Sequence, residues 1–298
     1  MNLYAERSSN IRRTWVLAFG FLILVIAIGY AIAWYYGNPN ILYIALFVAI
    51  ATNFYAYWAS DKLVLSMSHA RPATREEFFD FYTVTENLAI TAGLPKPRLY
   101  VIDDPAPNAF ATGRDEQHAV VCATTGLLTM MTRPELEGVI GHELSHIKNR
   151  DILLMMVAVV LAGFVAMAAD IFLRMSFFGG GRDSDNRQGS AIFMILAVVG
   201  IVLAPIAAKL IQLAVSRRRE FLADASSALL TRYPEGLASA LLKIGGYSAP
   251  MRHKNIATAH LFIGDPFGAK AAGAGSWAAH LFSTHPPVQE RVKALLGK

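Results

Sequence analysis

The fold class that this sequence predicts is an α+β body, predominantly helical, on a four-helix transmembrane anchor. Three observations predict it. Of the 298 residues, 54% are hydrophobic and 16% charged, too apolar for a water-soluble chain of this length. Four stretches, residues 16–36, 41–60, 152–169 and 191–208, hold no charged side chain, and each approaches the roughly 20 apolar residues that cross a hydrocarbon core. The charged remainder carries helix-start signals and short β-prone runs bounded by Pro, Gly and Asp.

In chain order, residues 16–36 end in Trp34, Tyr35 and Tyr36, amphipathic rings suited to a membrane interface. Only Gly37, Asn38, Pro39 and Asn40 separate them from residues 41–60, so residues 1–60 form a helical hairpin. A secretory signal is the competing reading, because Arg12 and Arg13 precede the stretch and Ala31-Ile32-Ala33 imitates a cleavage site. Against it, the apolar run exceeds the usual length of about 7 to 15 residues and passes directly into a second one. Residues 61–151 make the first part of the body, with strands expected at 98–102 and 118–122. Pro134, with Glu135 and Glu137 in the first turn and Thr132 as a cap, predicts a helix that carries His142 and His146. Residues 152–169 and 191–208 are 18 residues each, short for spans, and buried or re-entrant helices are the alternative. They bracket a polar outside loop, residues 174–190. Residues 209–298 complete the body, and within them residues 245–282 show no period that predicts an element.

The net charge of +5 sits unevenly: residues 61–151 carry 13 acidic against 9 basic side chains, and residues 209–298 carry 5 against 12. A cytoplasmic N-terminus puts thirteen Lys and Arg in the short inside flanks and three, Arg174, Arg182 and Arg187, outside. The asymmetry predicts cytoplasmic termini and a cytoplasmic body in contact with a lipid bilayer, and it removes nucleic acid as a partner. Cys122 is the single cysteine, which excludes disulfide frameworks and all-cysteine metal sites. It lies in an apolar run and reads as a buried thiol.

His142 and His146 are four residues apart on the predicted helix and share a face, so two imidazoles can reach one tetrahedral metal ion. Glu143, one residue round, can reach a water in the open position and act as general base. A third ligand is required, and Glu220 in the run Arg219-Glu220-Phe221-Leu222-Ala223-Asp224 offers it. Asp224, one turn on, can accept a hydrogen bond from a ligand histidine and fix its tautomer. On spacing alone a solvated helix whose acids balance three arginines is an equal reading. Two crossings between residues 142 and 220 favour the ligand, because an even number returns the chain to the same side. The remaining histidines, His69, His118, His253, His260 and His280, lack a partner at ligand spacing.

The motif Gly141-His142-Glu143-Leu144-Ser145-His146-Ile147-Lys148-Asn149-Arg150-Asp151, the later run from Arg219 to Asp224, and the terminal Ser283-Thr284-His285-Pro286-Pro287 with Arg291 resemble the HtpX family of bacterial membrane proteases, over nearly the whole chain. That family's catalytic core is similar to the CAAX prenyl proteases, which have more spans than this sequence supplies. The resemblance implies a zincin-like fold of the gluzincin class. It implies a zinc metalloendopeptidase with one Zn2+ per subunit in the bacterial cytoplasmic (inner) membrane. It further implies quality control of misfolded or damaged membrane proteins under stress, alongside the ATP-dependent membrane protease system. A prenyl-peptide processor and an inactive zinc-binding membrane scaffold are the alternatives; Glu143, which a structural site does not need, argues against the scaffold.

Two further groups are expected near the substrate. Asn108, Ala109, Phe110 and Ala111 resemble the family's active-site edge strand, whose backbone can pair with an extended peptide; an ordinary loop or inner strand is the alternative. His285 and Arg291, by analogy with related zinc peptidases, can donate to the oxyanion, with structural capping as the competing role.

Overall fold

The computed structural model describes residues 3–178, 216–253, 258–268 and 286–297. In chain order it holds α1 (Leu3–Tyr36), α2 (Asn40–Trp58), α3 (Ser60–Met67), β1 (Arg71–Pro72), α4 (Phe79–Ala92), β2 (Arg98–Ile102), β3 (Ala109–Thr112), β4 (Val120–Thr124), α5 (Thr125–Met130), α6 (Arg133–Lys148) and α7 (Asp151–Phe178). Then follow α8 (Arg217–Thr231), α9 (Pro234–Gly246), a 3-10 turn at Ala259–Leu261 and α10 (Val288–Leu296). The described residues are predominantly helical with one small sheet, in line with the sequence pattern.

Among the described residues three helices are long and apolar enough to cross a membrane, Ser8–Trp34, Asn40–Trp58 and Asp151–Ala168. The first two are little covered by protein, 22% and 11% buried, whereas the third is 67% buried. The difference has a local cause: Ile152 through Ala162 are all buried, enclosed by α1, α2, α3 and the sheet. α7 also continues past Asp170 to Phe178, with Asp170 and Arg174 paired one turn apart at 2.7 Å. The fourth expected segment, 191–208, and residues 179–190 of the expected loop lie outside the described residues. The body-side ends of all three helices meet the same body. Asn10 of α1 bonds Asp151, the first residue of α7, at 2.6 Å, and Trp58 of α2 lies under the Arg114 guanidinium, 4.6 Å from the ring centre.

The sheet has the order β1-β2-β4-β3, with β2 and β4 parallel and β3 antiparallel to β4. Side-chain alternation splits it into two cores. Leu99, Val101, Val121 and Ala123 face α4, α6 and α9, while Ile102, Phe110, Val120 and Cys122 face Met155, Met156 and Val159 of α7. Both faces are covered, which explains why β4 is buried throughout.

Helix α6 starts where the sequence placed it, with the Thr132 N–H donating to Glu135 Oε2 at 2.8 Å and Pro134 in the first turn. It packs closely on α8 and α9 because two of its positions are glycine. A Cβ at Gly138 would lie 2.6 Å from the Leu237 backbone nitrogen, and one at Gly141 would lie 2.7 Å from Ser227 Oγ. That close approach brings the histidine face of α6 onto the acidic face of α8. After α6 the chain reverses through Arg150, whose φ of 60° is left-handed, and α7 departs with Asp151 turned back toward His146.

Candidate metal centre

The side-chain atoms of His142, His146 and Glu220 lie within 4.8 Å of one another, and all three residues are buried. His142 Nε2 is 3.1 Å from His146 Nε2 and 3.7 Å from Glu220 Oε2, and His146 Nε2 is 3.5 Å from Glu220 Oε1. A four-coordinate ion with bonds of about 2.0 to 2.2 Å separates its ligand atoms by about 3.3 Å. The three donors therefore fit one ion and leave a fourth position open.

Each imidazole is held from behind by a carboxylate. Asp224 Oδ1 is 3.0 Å from His142 Nδ1, the contact expected from the sequence. Asp151 Oδ2 is 3.0 Å from His146 Nδ1, and this partner was missed: it sits on the next helix, beyond the left-handed Arg150, where no helical spacing rule reaches. With each Nδ1–H given to a carboxylate, each Nε2 is left for the ion.

The two histidines differ electrostatically. Burial pushes His142 down to about 4, the Asp224 hydrogen bond opposing it and the Arg291 charge adding to it. His142 is thus a neutral imidazole hydrogen-bonded to Asp224 rather than an ion pair. Burial also lowers His146, but the Asp151 hydrogen bond and the charges of Glu220, Asp151 and Glu143 outweigh it and raise the ring to about 9. Asp224 is itself desolvated, yet hydrogen bonds from Arg291 and His142 hold it below the ordinary carboxylate range.

Arg291 of α10, 1% exposed, donates to Asp224 from Nε at 2.9 Å and from Nη2 at 2.6 Å. Its Nη1 lies 3.9 Å from Glu220 Oε2. It closes a buried chain from α10 through Asp224 to His142. His285 lies outside the described residues. Glu143 is buried in the same place, close enough for its charge to bear on His146, Arg291 and Cys122. Cys122 is a buried free thiol whose pKa is pushed up, first by burial and then by Glu143.

Among the described residues β3 lies at the edge of the sheet, as expected, but its residues divide. Asn108 uses its side-chain amide on Gly264, donating to the carbonyl and accepting from the N–H, both at 2.9 Å, and Ile263 N–H donates to the Ala109 carbonyl at 2.9 Å. The chain's own 258–268 segment therefore occupies the start of the edge. Phe110 is fully buried against Phe262, with ring centres 5.0 Å apart, so its side chain belongs to the core. Ala111, two residues beyond Ala109, turns its N–H and C=O to the same outer side, and among the described residues neither has a backbone partner outside the sheet.

The profile of Peptidase family M48 matches residues 77–298, which contain every residue of this centre. The chain belongs to Peptidase family M48. Two relatives named "Protease HtpX homolog" match this M48 chain along nearly its whole length. The one from Caldanaerobacter subterraneus subsp. tengcongensis is 45% identical, covering 98% of this chain and 97% of its own. The one from Thermoanaerobacter pseudethanolicus is 46% identical with the same coverage. They bear out the resemblance read from the motifs. The crystal structure of S. mikatae Ste24p aligns with 98% of this chain and 66% of its own, at 20% identity and a TM-score of 0.49.

Proposed function

We propose that this M48 peptidase is a membrane-bound zinc endopeptidase of gluzincin type, with a four-helix anchor, in the bacterial inner membrane. One Zn2+ is held by His142, His146 and Glu220, and the termini and the active site face the cytoplasm. The observation that carries the reading is the convergence of those three ligands, with Glu143 beside them, at the body-side ends of the membrane helices. The two-imidazole, one-carboxylate donor set suits zinc.

Held there, zinc would supply Lewis-acid polarisation of the scissile carbonyl and a more acidic water. Glu143 is the general base placed to take a proton from the attacking water and return it to the leaving amine. Asp224 and Asp151 hold the imidazoles in the tautomer that presents Nε2, and Arg291 fixes Asp224. Arg291 and His285 are the proposed donors toward the oxyanion. An extended substrate pairs with the outer edge of β3 from Ala111 onward, Asn108 and Ala109 shaping its end and Phe110 supporting it from the core. Backbone pairing reads few side chains, which suits misfolded or damaged membrane proteins as substrates, in quality control under stress and alongside the ATP-dependent membrane protease system.

The test is cleavage of a destabilised membrane-protein reporter by full-length protein and by Glu143→Ala. The reading expects Glu143→Ala to keep its zinc and to lose cleavage; cleavage at the wild-type rate removes Glu143 as the base.

A further inference from the structure

The first membrane helix reaches the metal centre. Asn10 of α1 is 0% exposed and sits at the start of an apolar helix, where an amide has to find partners. Its side-chain nitrogen donates to the Asn149 carbonyl at 3.0 Å and to Asp151 Oδ1 at 2.6 Å. Both partners are pure acceptors, so the NH2 group faces them and spends its two hydrogens there. Asn149 caps α6 and Asp151 opens α7, on either side of the left-handed Arg150. One amide thus clamps the two ends of a reversal that a non-glycine residue adopts only at a cost. The other oxygen of the same Asp151 carboxylate lies 3.0 Å from His146 Nδ1. Further along α1, Leu17 packs on Leu154 and Ala158 of α7, which fixes the approach.

We propose that Asn10 is a positioning residue for the metal centre: beside the buried Arg219, whose Nε lies 3.4 Å from the same Asp151 Oδ1, the membrane helix α1 helps to set the Asp151 carboxylate, and through it His146. Seating of α1 against α7 is then part of the ligand geometry. The inference rests on His146 being a metal ligand.

The experiment uses full-length protein in detergent, stripped of metal and titrated with Co2+, reading affinity by chelator competition and geometry from the visible absorption of bound cobalt. Asn10→Asp keeps the shape but sets a second carboxylate against Asp151; Asn10→Gln keeps the donor; Asn10→Leu removes it. Thr14→Val deletes a buried hydroxyl one turn on, whose bond is to the Asn10 carbonyl of its own helix. Outer partners of metal ligands typically shift affinity by about 10- to 100-fold. Acting through Asp151, Asn10→Asp should weaken cobalt by about 10-fold and change the spectrum. Asn10→Gln should bind more tightly than Asn10→Leu, and Thr14→Val should match wild type. If Asn10→Asp does not fold, the Gln and Leu pair decides alone. Cobalt affinity and spectra unchanged in all Asn10 variants, or weakened equally in Thr14→Val, overturn the proposal. His146→Ala separates the two levels: wild-type cobalt binding there refutes the metal site itself, and this inference with it.

Discussion

Asp224→Asn separates what the buried network does for the metal from what it does for the fold. Asp224 is 2% exposed and accepts from His142 Nδ1 at 3.0 Å and twice from Arg291, at 2.9 and 2.6 Å. The amide keeps the shape but removes the charge opposite an Arg291 that is 1% exposed. Leaving one partner of a buried ion pair uncompensated typically costs about 3 to 5 kcal/mol of stability. Losing the oriented imidazole typically costs about 10- to 100-fold in metal affinity, or about 1.4 to 2.7 kcal/mol. The two effects part in the double variant Asp224→Asn with Arg291→Met. Removing the orphaned guanidinium returns stability, whereas the acceptor behind His142 is still an amide and affinity stays low. The assay is chelator-competed zinc affinity beside detergent-state thermal unfolding of apo protein. Wild-type affinity in Asp224→Asn, or recovery of both quantities in the double variant, refutes the assignment of Asp224 to His142.

Three other outcomes follow from particular contacts. Gly138→Ala forces a Cβ to 2.6 Å from the Leu237 backbone nitrogen and should cost about 1 to 3 kcal/mol of stability, read as a lower unfolding temperature. Gly163→Ala on α7, with nothing within 4 Å, should not. Ala111→Pro removes an outward N–H of β3 and should raise KM for peptides several-fold with zinc content unchanged; an unchanged KM removes the edge from substrate binding. Glu135 is held at about 2, well below its ordinary 4.5, because hydrogen bonds from Lys243, Ser239 and Thr132 outweigh its desolvation. A depressed carboxylate adds stability that is present above the unfolded pKa and lost as pH falls through the folded one. The deficit of Glu135→Gln should therefore be full above about pH 5 and fade toward pH 2, as read by denaturation across that range.

What was legible in the sequence was legible because it is local. His142, Glu143 and His146 share one helix, and i,i+4 spacing fixes their common face; the cap at Thr132 and the strand at 98–102 are equally local. Glu220 needed an argument about sides of a membrane, and Asp224 then followed at one helical turn. Asp151 and Asn10 were not legible, because a left-handed residue separates the first from His146 and 141 positions separate the second from its partner. β3 shows the limit of alternation. The period places Phe110 and Ala109 on opposite faces, but only the fold shows that Phe110 meets Phe262 and that residues 258–268 already occupy the edge at Ala109.

Whether two histidines and Glu220 hold one ion is decided by zinc content per chain in full-length protein, purified side by side with Glu220→Ala and Glu143→Ala. One zinc is expected in the wild type and in Glu143→Ala, and its loss in Glu220→Ala. Full zinc in Glu220→Ala, or none in the wild type, contradicts that ligand set.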